Sequence, residues 1–149
     1  MLRALSVTVV LLLAGAPLAA QAPVVEHHPP VSGPGRPFSE ATRAGDLIFV
    51  AGQLGTDSTG TLVRGGIEKE TRQAMLNIQA ILARRGVGMD RVVKCLVMMA
   101  DMEEWPRMNG LYVEAFPAGK LPARSAFGAT ALALKARVEI ECIAAAPAS

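Results

Sequence analysis

Residues 67–85, IEKETRQAMLNIQAILARR, carry the clearest structural signal in the chain. Small and apolar side chains recur there at intervals of three and four residues, and most charged side chains fall on the other faces. Gly86 follows directly, and glycine is common just after a helix end. The apolar face comprises Ile67, Thr71, Ala74, Met75, Ile78, Ile81 and Leu82. The stretch therefore predicts an amphipathic helix that packs this face on a sheet and is closed by Gly86.

Short apolar segments on both sides of this helix predict strands. Residues 47–51 (LIFVA) follow the turn residues Gly45 and Asp46, which predicts a hairpin with a preceding strand. A second helix is expected after the Asp at position 101, because the apolar residues that follow have helical spacing. The predicted order is strand, strand, helix, strand, helix, strand, strand, over residues 39–43, 47–51, 67–85, 91–99, 101–116, 124–132 and 137–144.

This order predicts an α+β fold, a mixed β-sheet with both helices packed on one face. The last strand shows which side is buried, because apolar and charged residues alternate along it. The apolar set is Val138, Ile140 and Cys142, and the charged set is Arg137, Glu139 and Glu141. If the apolar set faces the helices, the charged set lies on the opposite surface. A sheet surface of this mixed kind suggests that another subunit covers part of it.

The composition excludes several classes of function. The chain has 149 residues, of which 51% are hydrophobic and 19% charged, as is typical of a single folded domain. Arg3 is the one charge in residues 1–22, which leaves 14 basic and 13 acidic residues elsewhere and no basic surface for nucleic acid. The two histidines, His27 and His28, are adjacent in a proline-rich segment. Histidine-based catalysis, a metal site and a cofactor are therefore not expected in the folded part.

The N-terminus predicts a targeting segment followed by an arm. Residues 1–22 combine Arg3, an apolar run of about a dozen residues and the ending Ala20-Gln21-Ala22, the pattern of a cleaved signal peptide. The run is shorter than the ~20 residues that span a bilayer, and an uncleaved membrane anchor is the alternative. Residues 23–37 are rich in Pro and Gly and predict a flexible arm before a domain at 38–149. The mature protein is expected in the periplasm or secreted, free of the membrane.

Arg124 lies at the outer end of one predicted strand, and Glu139 lies 15 residues later on the next, so that a turn centred near residues 131–132 would place them face to face. If these strands form an antiparallel pair, their side chains approach each other across the sheet, although the position of the turn leaves direct opposition open. A guanidinium binds a carboxylate through two parallel hydrogen bonds, and a carboxylate can deprotonate water. Such a pair could add water to the C=N or C=O bond of a small substrate that carries a carboxylate next to that bond. From spacing alone, a plain cross-strand ion pair is the favoured interpretation.

Cys95 and Cys142 both fall in apolar strands. An exported protein permits a disulfide between them. Cysteine in an apolar strand is more commonly a small core residue. The sequence favours two core cysteines and leaves the disulfide open.

Five groups of residues match one family in order along residues 38–146. They are 44–53 (AGDLIFVAGQ), 70–74 (ETRQA) with 77–78 (NI), 90–94 (DRVVK), 108–112 (MNGLY) with 115–116 (AF), and 122–125 (PARS) with 138–141 (VEIE). Together they resemble the reactive intermediate deaminase family, also called Rid or YjgF. The match is specific because it does not depend on any single segment.

The resemblance implies a homotrimer with the chorismate-mutase-like Rid fold and a site in each cleft between subunits. It implies hydrolysis of 2-imino acids and their enamines to 2-oxo acids and ammonia, without a cofactor. In that reaction Arg124 is expected to clamp the substrate carboxylate and Glu139 to position the attacking water. Asn109 matches a further position in the cleft.

Three positions depart from the family pattern. Phe38 stands where a Tyr is common, Ala51 replaces the Ser of a Ser-Gly-Gln pattern, and Ala126 replaces a Cys or similar residue. The substrate-binding residues that the resemblance implies are Arg124, Asn109, Phe38, Ala51, Gly52, Ser125 and Ala126. Because hydroxyls are missing, the first alternative is a non-catalytic trimer that binds small carboxylates or acts as a chaperone. Endoribonuclease activity, also reported for this family, is less expected, given the near-neutral charge and the lack of a catalytic histidine.

Overall fold

The computed structural model describes Ala22 and residues 24–31 and 35–147. The predicted signal peptide, apart from Ala22, lies outside these residues, and its cleavage stays a prediction. No helix in the described part is long and apolar enough to cross a membrane. The α-helices and strands of the described residues are β1 Val25–His28, β2 Ala41–Ala44, β3 Leu47–Leu54, α1 Gly66–Ala83, β4 Val92–Met99, α2 Trp105–Glu114, β5 Ala123–Gly128 and β6 Val138–Ala145.

The strands form one mixed sheet in the order β1-β2-β3-β6-β4-β5, and the predicted fold class is confirmed. Only β4 and β5 run parallel, and the other neighbouring strands are antiparallel. The core lies between the sheet and the helices, because the inward residues of β4 and β6 and the apolar face of α1 are all buried. Burial of this apolar surface is the main force that holds the two layers together.

Helix α1 follows its prediction closely. All seven residues of the predicted apolar face are buried. The helix ends at Ala83, and Gly86 then adopts a left-handed conformation with a φ of 68°. The N–H of Val87 donates to the carbonyl of Leu82 at 3.1 Å, which closes the last turn. Gly86 therefore closes the helix as predicted.

The expected pairing of the last two strands is wrong. Strand β6 lies between β3 and β4, whereas β5 lies at the sheet edge and pairs with β4 alone. The last-but-one strand also ends at Gly128 rather than at residue 132. Strand β6 has eight residues and pairs along both its edges, which satisfies more backbone groups than the six-residue β5 would at the same place. After β5 the chain therefore crosses over β4 and enters the sheet again between β3 and β4.

The predicted alternation of β6 is confirmed, and it explains the two cysteines. Val138, Ile140 and Cys142 are at most 1% exposed and face the helices. Cys142 lies directly opposite Cys95 of β4, and the two form a disulfide. The favoured interpretation of two unbonded core cysteines is therefore wrong, although both side chains are buried. The disulfide can form because β4 and β6 are neighbouring strands in the sheet.

Part of the expected flexible arm has regular structure. Residues 25–28 form β1, which pairs with β2 at the sheet edge. Just beyond the arm, the buried carboxylate of Glu40 accepts hydrogen bonds from Arg84 at 2.8 Å and Arg85 at 2.9 Å. Burial alone would raise the pKa of Glu40, but these hydrogen bonds outweigh it and leave the pKa lowered. This cluster ties the start of β2 to the end of α1.

The sheet surface opposite the helices, called the outer face below, is only partly polar. It carries Glu139 and Glu141, as the alternation predicted. It also carries Leu47, Phe49 and Phe127, which are 39%, 40% and 46% exposed. Large apolar side chains this exposed on one surface are typical of an interaction site.

Candidate active site

Arg124 lies on the helix side of the sheet. It is in register with the inward-facing Cys95 of the parallel neighbour β4, so its side chain leaves the sheet toward α2. The guanidinium carbon lies 4.6 Å from the ring centre of Tyr112 and 5.2 Å from that of Trp105. These two α2 rings are called the aromatic shelf below. Within the described part of the chain, the Arg124 guanidinium has no ion-pair or hydrogen-bond partner, and its N–H donors are therefore available to a ligand.

Glu139 lies on the outer face of β6. It is half-buried and in register with Leu54 of β3 and Met98 of β4. Burial raises the pKa of Glu139, and the negative charge of Glu141 on the same face raises it further. A partly desolvated carboxylate with a raised pKa is a better proton acceptor than an ordinary surface carboxylate.

Gly52 provides the space that the Glu139 carboxylate occupies. A methyl group added at Gly52 would overlap Oε1 of Glu139 and lie 3.0 Å from its Cδ. The register of β3 against β6 shifts between Val50 and Gln53, so Gly52 lies in a bulge. The Gln53 side-chain amide donates to the carbonyls of Ala51 at 2.9 Å and Gly52 at 3.2 Å, which holds the bulge in shape.

We expect Gly52→Ala to displace the Glu139 carboxylate and to lower kcat at least about tenfold with little loss of stability. The reason is that the added methyl group competes with the carboxylate for the same space, and a small misplacement of a catalytic group is costly. The check is steady-state kinetics of the imine hydrolysis that the family resemblance implies, together with the melting temperature. Gly110→Ala is the matched control, because a methyl group there meets nothing within 4 Å. Wild-type kcat in Gly52→Ala would contradict this role of the glycine.

The structure does not bring Arg124 and Glu139 together within one chain. Strand β4 separates β5 from β6, and the two side chains leave the sheet on opposite faces. The expectation that they approach each other across neighbouring strands is therefore wrong, as is the plain ion pair. A single substrate can meet both groups only if a second copy supplies one of them.

The other expected site residues fall into two groups. Ala51 and Gly52 lie in the β3 bulge beside the outer face, close to Glu139 and Glu141. Ser125 is also on the outer face, where its hydroxyl accepts a hydrogen bond from the Lys94 amine at 3.1 Å. The remaining three residues do not lie on the outer face of the sheet. Ala126 is on the helix side with Arg124, and the half-buried Asn109 belongs to α2. Phe38 precedes β2 and is 48% exposed.

Sequence reasoning missed the aromatic shelf and the role of Gln53. Trp105 and Tyr112 have the spacing of core residues on a helix, and nothing in that pattern shows that a cation lies against them. Gln53 is part of a matched motif, but its bonds to the bulge depend on the register of β3 against β6. Among the described residues, no group of three or more His, Cys, Asp or Glu side chains could hold a metal ion.

Comparisons with known proteins agree with this fold. The family model described as endoribonuclease L-PSP matches residues 30–146. A 2-iminobutanoate/2-iminopropanoate deaminase of Mus musculus is 42% identical over 109 residues, which cover 72% of this chain and 80% of the mouse protein. The protein of that name in Homo sapiens is 38% identical over 109 residues, covering 72% of this chain and 79% of the human protein. A solved structure from Yersinia pestis, titled a protein of unknown function of the conserved Rid family, has a TM-score of 0.76 and 32% identity over 82% of this chain and 99% of its own.

Proposed function

Because the chain belongs to the endoribonuclease L-PSP (YjgF/Rid) family, we propose that it hydrolyses 2-imino acids to 2-oxo acids and ammonia in clefts between the subunits of a homotrimer. The observation that carries the proposal is the pair of groups the reaction needs. One is a guanidinium with free donors at Arg124, and the other is a half-buried carboxylate with a raised pKa at Glu139. Relatives at about 40% identity are named for this reaction.

The apolar residues of the outer face support the trimer. Leu47, Phe49 and Phe127 remain open there because the helices cover only the other side of the sheet. Strand β5 is the edge of the sheet and carries Arg124. If a neighbouring subunit places its β5 edge on the outer face, its Arg124 meets Glu139 of the first subunit. A closed ring of such contacts makes three equal clefts.

The chemistry follows from these two groups. The Arg124 guanidinium holds the substrate carboxylate through two hydrogen bonds and orients the adjacent C=N carbon. Glu139 accepts a proton from water while the water oxygen forms a bond to that carbon and the C=N electron pair moves to nitrogen. That proton passes from Glu139 to the nitrogen, and the hydroxyl proton of the addition product then follows through the same carboxylate. The C–N bond breaks as the C=O bond forms, and the nitrogen leaves as ammonia. No oxidant or reductant is needed, because water supplies the oxygen and both protons.

The pH dependence should report Glu139. Since Glu139 acts in its ionised form and its pKa lies above the ordinary value of 4.5, kcat should fall as the pH drops through this raised pKa. In Glu141→Gln the neighbouring negative charge is lost, which lowers the pKa of Glu139 and moves the acidic limb to lower pH. The check is a pH profile of kcat for both proteins, with the high-pH plateau as reference. An acidic limb that stays in place in Glu141→Gln would contradict the role of Glu139 as base.

We also propose that the mature protein is exported. The signal-like sequence of residues 1–22 supports this, and so does the Cys95–Cys142 disulfide, since such bonds persist in oxidising compartments. In a Gram-negative host that carries the full gene, the protein should appear in the osmotic-shock fraction with an N-terminus near Pro23. Full-length protein in the cytoplasmic or membrane fraction would contradict export.

The direct test of the reaction traps the imine. L-Amino acid oxidase generates 2-iminobutanoate from L-2-aminobutanoate, and semicarbazide converts the imine to an absorbing semicarbazone. Residues 23–149 should reduce the rate of semicarbazone formation in proportion to their concentration. Unchanged rates with several amino acids would overturn the proposal. Calorimetric binding of 2-oxobutanoate would then decide for the non-catalytic carboxylate-binding alternative.

A further inference from the structure

We propose that Trp105, together with Tyr112, positions the Arg124 guanidinium for the substrate carboxylate. The inference rests on the proposed function, because it assigns the means by which the carboxylate clamp is held. Trp105 acts through Arg124 and does not itself take part in the reaction.

The geometry is that of a cation against two aromatic faces. Both ring centres lie within about 6 Å of the guanidinium carbon, the range in which a ring attracts a cation. The two rings come from one helix, seven residues apart, and therefore lie on the same side of α2 two turns from each other. Arg124 reaches them from β5 across the space between the sheet and α2.

Arg124 differs from the arginines that have structural roles. Among the residues that the structure describes, five other arginines form ion pairs with carboxylates, namely Arg72, Arg84, Arg85, Arg107 and Arg137. A carboxylate partner would occupy the N–H donors of Arg124 and neutralise its charge, leaving little for a substrate. A ring face instead attracts the flat side of the guanidinium and leaves the in-plane N–H donors free. The aromatic shelf thus holds the cation in place and keeps it available.

The two rings have different freedom. Tyr112 is 2% exposed and packs against Phe116 with ring centres 5.0 Å apart, so the core holds its ring in place. Burial raises the pKa of Tyr112 to about 12, so the phenol stays neutral beneath the cation at physiological pH. Trp105 is half-buried at the first turn of α2, and its ring is the second one that the guanidinium contacts. Substitution of Trp105 can therefore change the clamp without opening the core.

The experiment measures 2-oxobutanoate binding by calorimetry, and the KM and kcat of imine hydrolysis, on the mature chain. The proteins are wild type, Trp105→Leu, Trp105→Phe and Arg124→Ala. Trp105→Leu should weaken binding and raise KM about tenfold, with kcat changed less than about threefold. Trp105→Phe restores an aromatic face and should stay within about threefold of wild type. A purely structural role would instead lower the melting temperature and kcat together.

A second readout needs no variant at Trp105. Trp105 is the one tryptophan of the chain, so saturation with 2-oxobutanoate should change the fluorescence of the wild-type protein. The same addition should leave Arg124→Ala unchanged. If Trp105→Leu does not fold, an unaltered wild-type emission at a ligand concentration that calorimetry shows to be saturating would overturn the inference.

The outcomes separate this inference from the proposed function. If Arg124→Ala loses binding while Trp105→Leu binds within about twofold of wild type, the positioning role is wrong and the carboxylate clamp stands. Loss of binding in Trp105→Phe equal to that in Trp105→Leu would also overturn it. If wild type does not bind 2-oxobutanoate, or Arg124→Ala binds it equally well, both the clamp and the positioning role fail.

Discussion

Arg124→Ala is expected to lower kcat/KM for 2-iminobutanoate about 100-fold or more. The variant removes both hydrogen bonds to the substrate carboxylate and the charge that attracts it, and loss of one partner of a hydrogen-bonded charge pair costs about 2–5 kcal/mol. Because the guanidinium has no ion pair among the residues that the structure describes, its removal leaves no described carboxylate unpaired. We therefore expect the melting temperature to stay close to that of wild type.

Two further variants define what Arg124 supplies. Arg124→Lys keeps the charge but loses the planar fork, so it should recover only part of the lost kcat/KM. Arg64→Ala removes an exposed cation from the segment between β3 and α1, which holds none of the expected site residues, and should keep wild-type kinetics. The semicarbazide assay checks all three. If Arg124→Ala retained kcat/KM within about threefold of wild type, Arg124 would not be the carboxylate clamp.

Glu139→Gln is expected to lower kcat about 100- to 1000-fold with KM changed only a few-fold. The amide has nearly the shape of the carboxylate but cannot accept the proton from water, and general base catalysis contributes about this much. Substrate affinity depends on Arg124 rather than on Glu139, which is why KM should change little. Single-turnover kinetics, in which semicarbazide traps the imine that has not yet been hydrolysed, measures the chemical step directly.

The control for this variant is Glu103→Gln, which removes an exposed carboxylate in the turn before α2. Its kcat should equal that of wild type. A Glu139→Gln protein with undiminished kcat would show that another group activates the water. A rise in KM alone would show that Glu139 serves binding and not proton transfer.

Local features of the fold were predictable because they depend on neighbouring residues. The buried face of α1 and its end at Gly86 follow from helical spacing and from the freedom of glycine. The inward residues of β6 follow from simple alternation. The order of strands did not follow, since alternation tells which side chain faces the core and not which strand lies beside it. The adjacency of β4 and β6, and with it the Cys95–Cys142 disulfide, needed the structure.

The candidate site was predictable to a similar extent. Arg124 and Glu139 were singled out by their chemistry and by family resemblance, but their separation onto opposite faces depends on β4 lying between their strands. The close approach of Gly52 to the Glu139 carboxylate depends on a bulge that shifts the register by one residue. Trp105 has the spacing of an ordinary core residue, and only the position of β5 relative to α2 places it against a guanidinium.

A site shared between subunits can be tested most directly by mixing two inactive variants. Arg124→Ala and Glu139→Gln subunits, with different affinity tags, would be unfolded together, refolded, and purified on both tags in turn to prove that they assemble. If each cleft takes Arg124 from one subunit and Glu139 from the next, every trimer that contains both variants has one intact cleft, which is about a third of the clefts in the purified mixed protein. We predict that imine hydrolysis returns to about this fraction of the wild-type rate. Activity of the purified mixed oligomer no higher than that of the two parent variants would contradict a shared site.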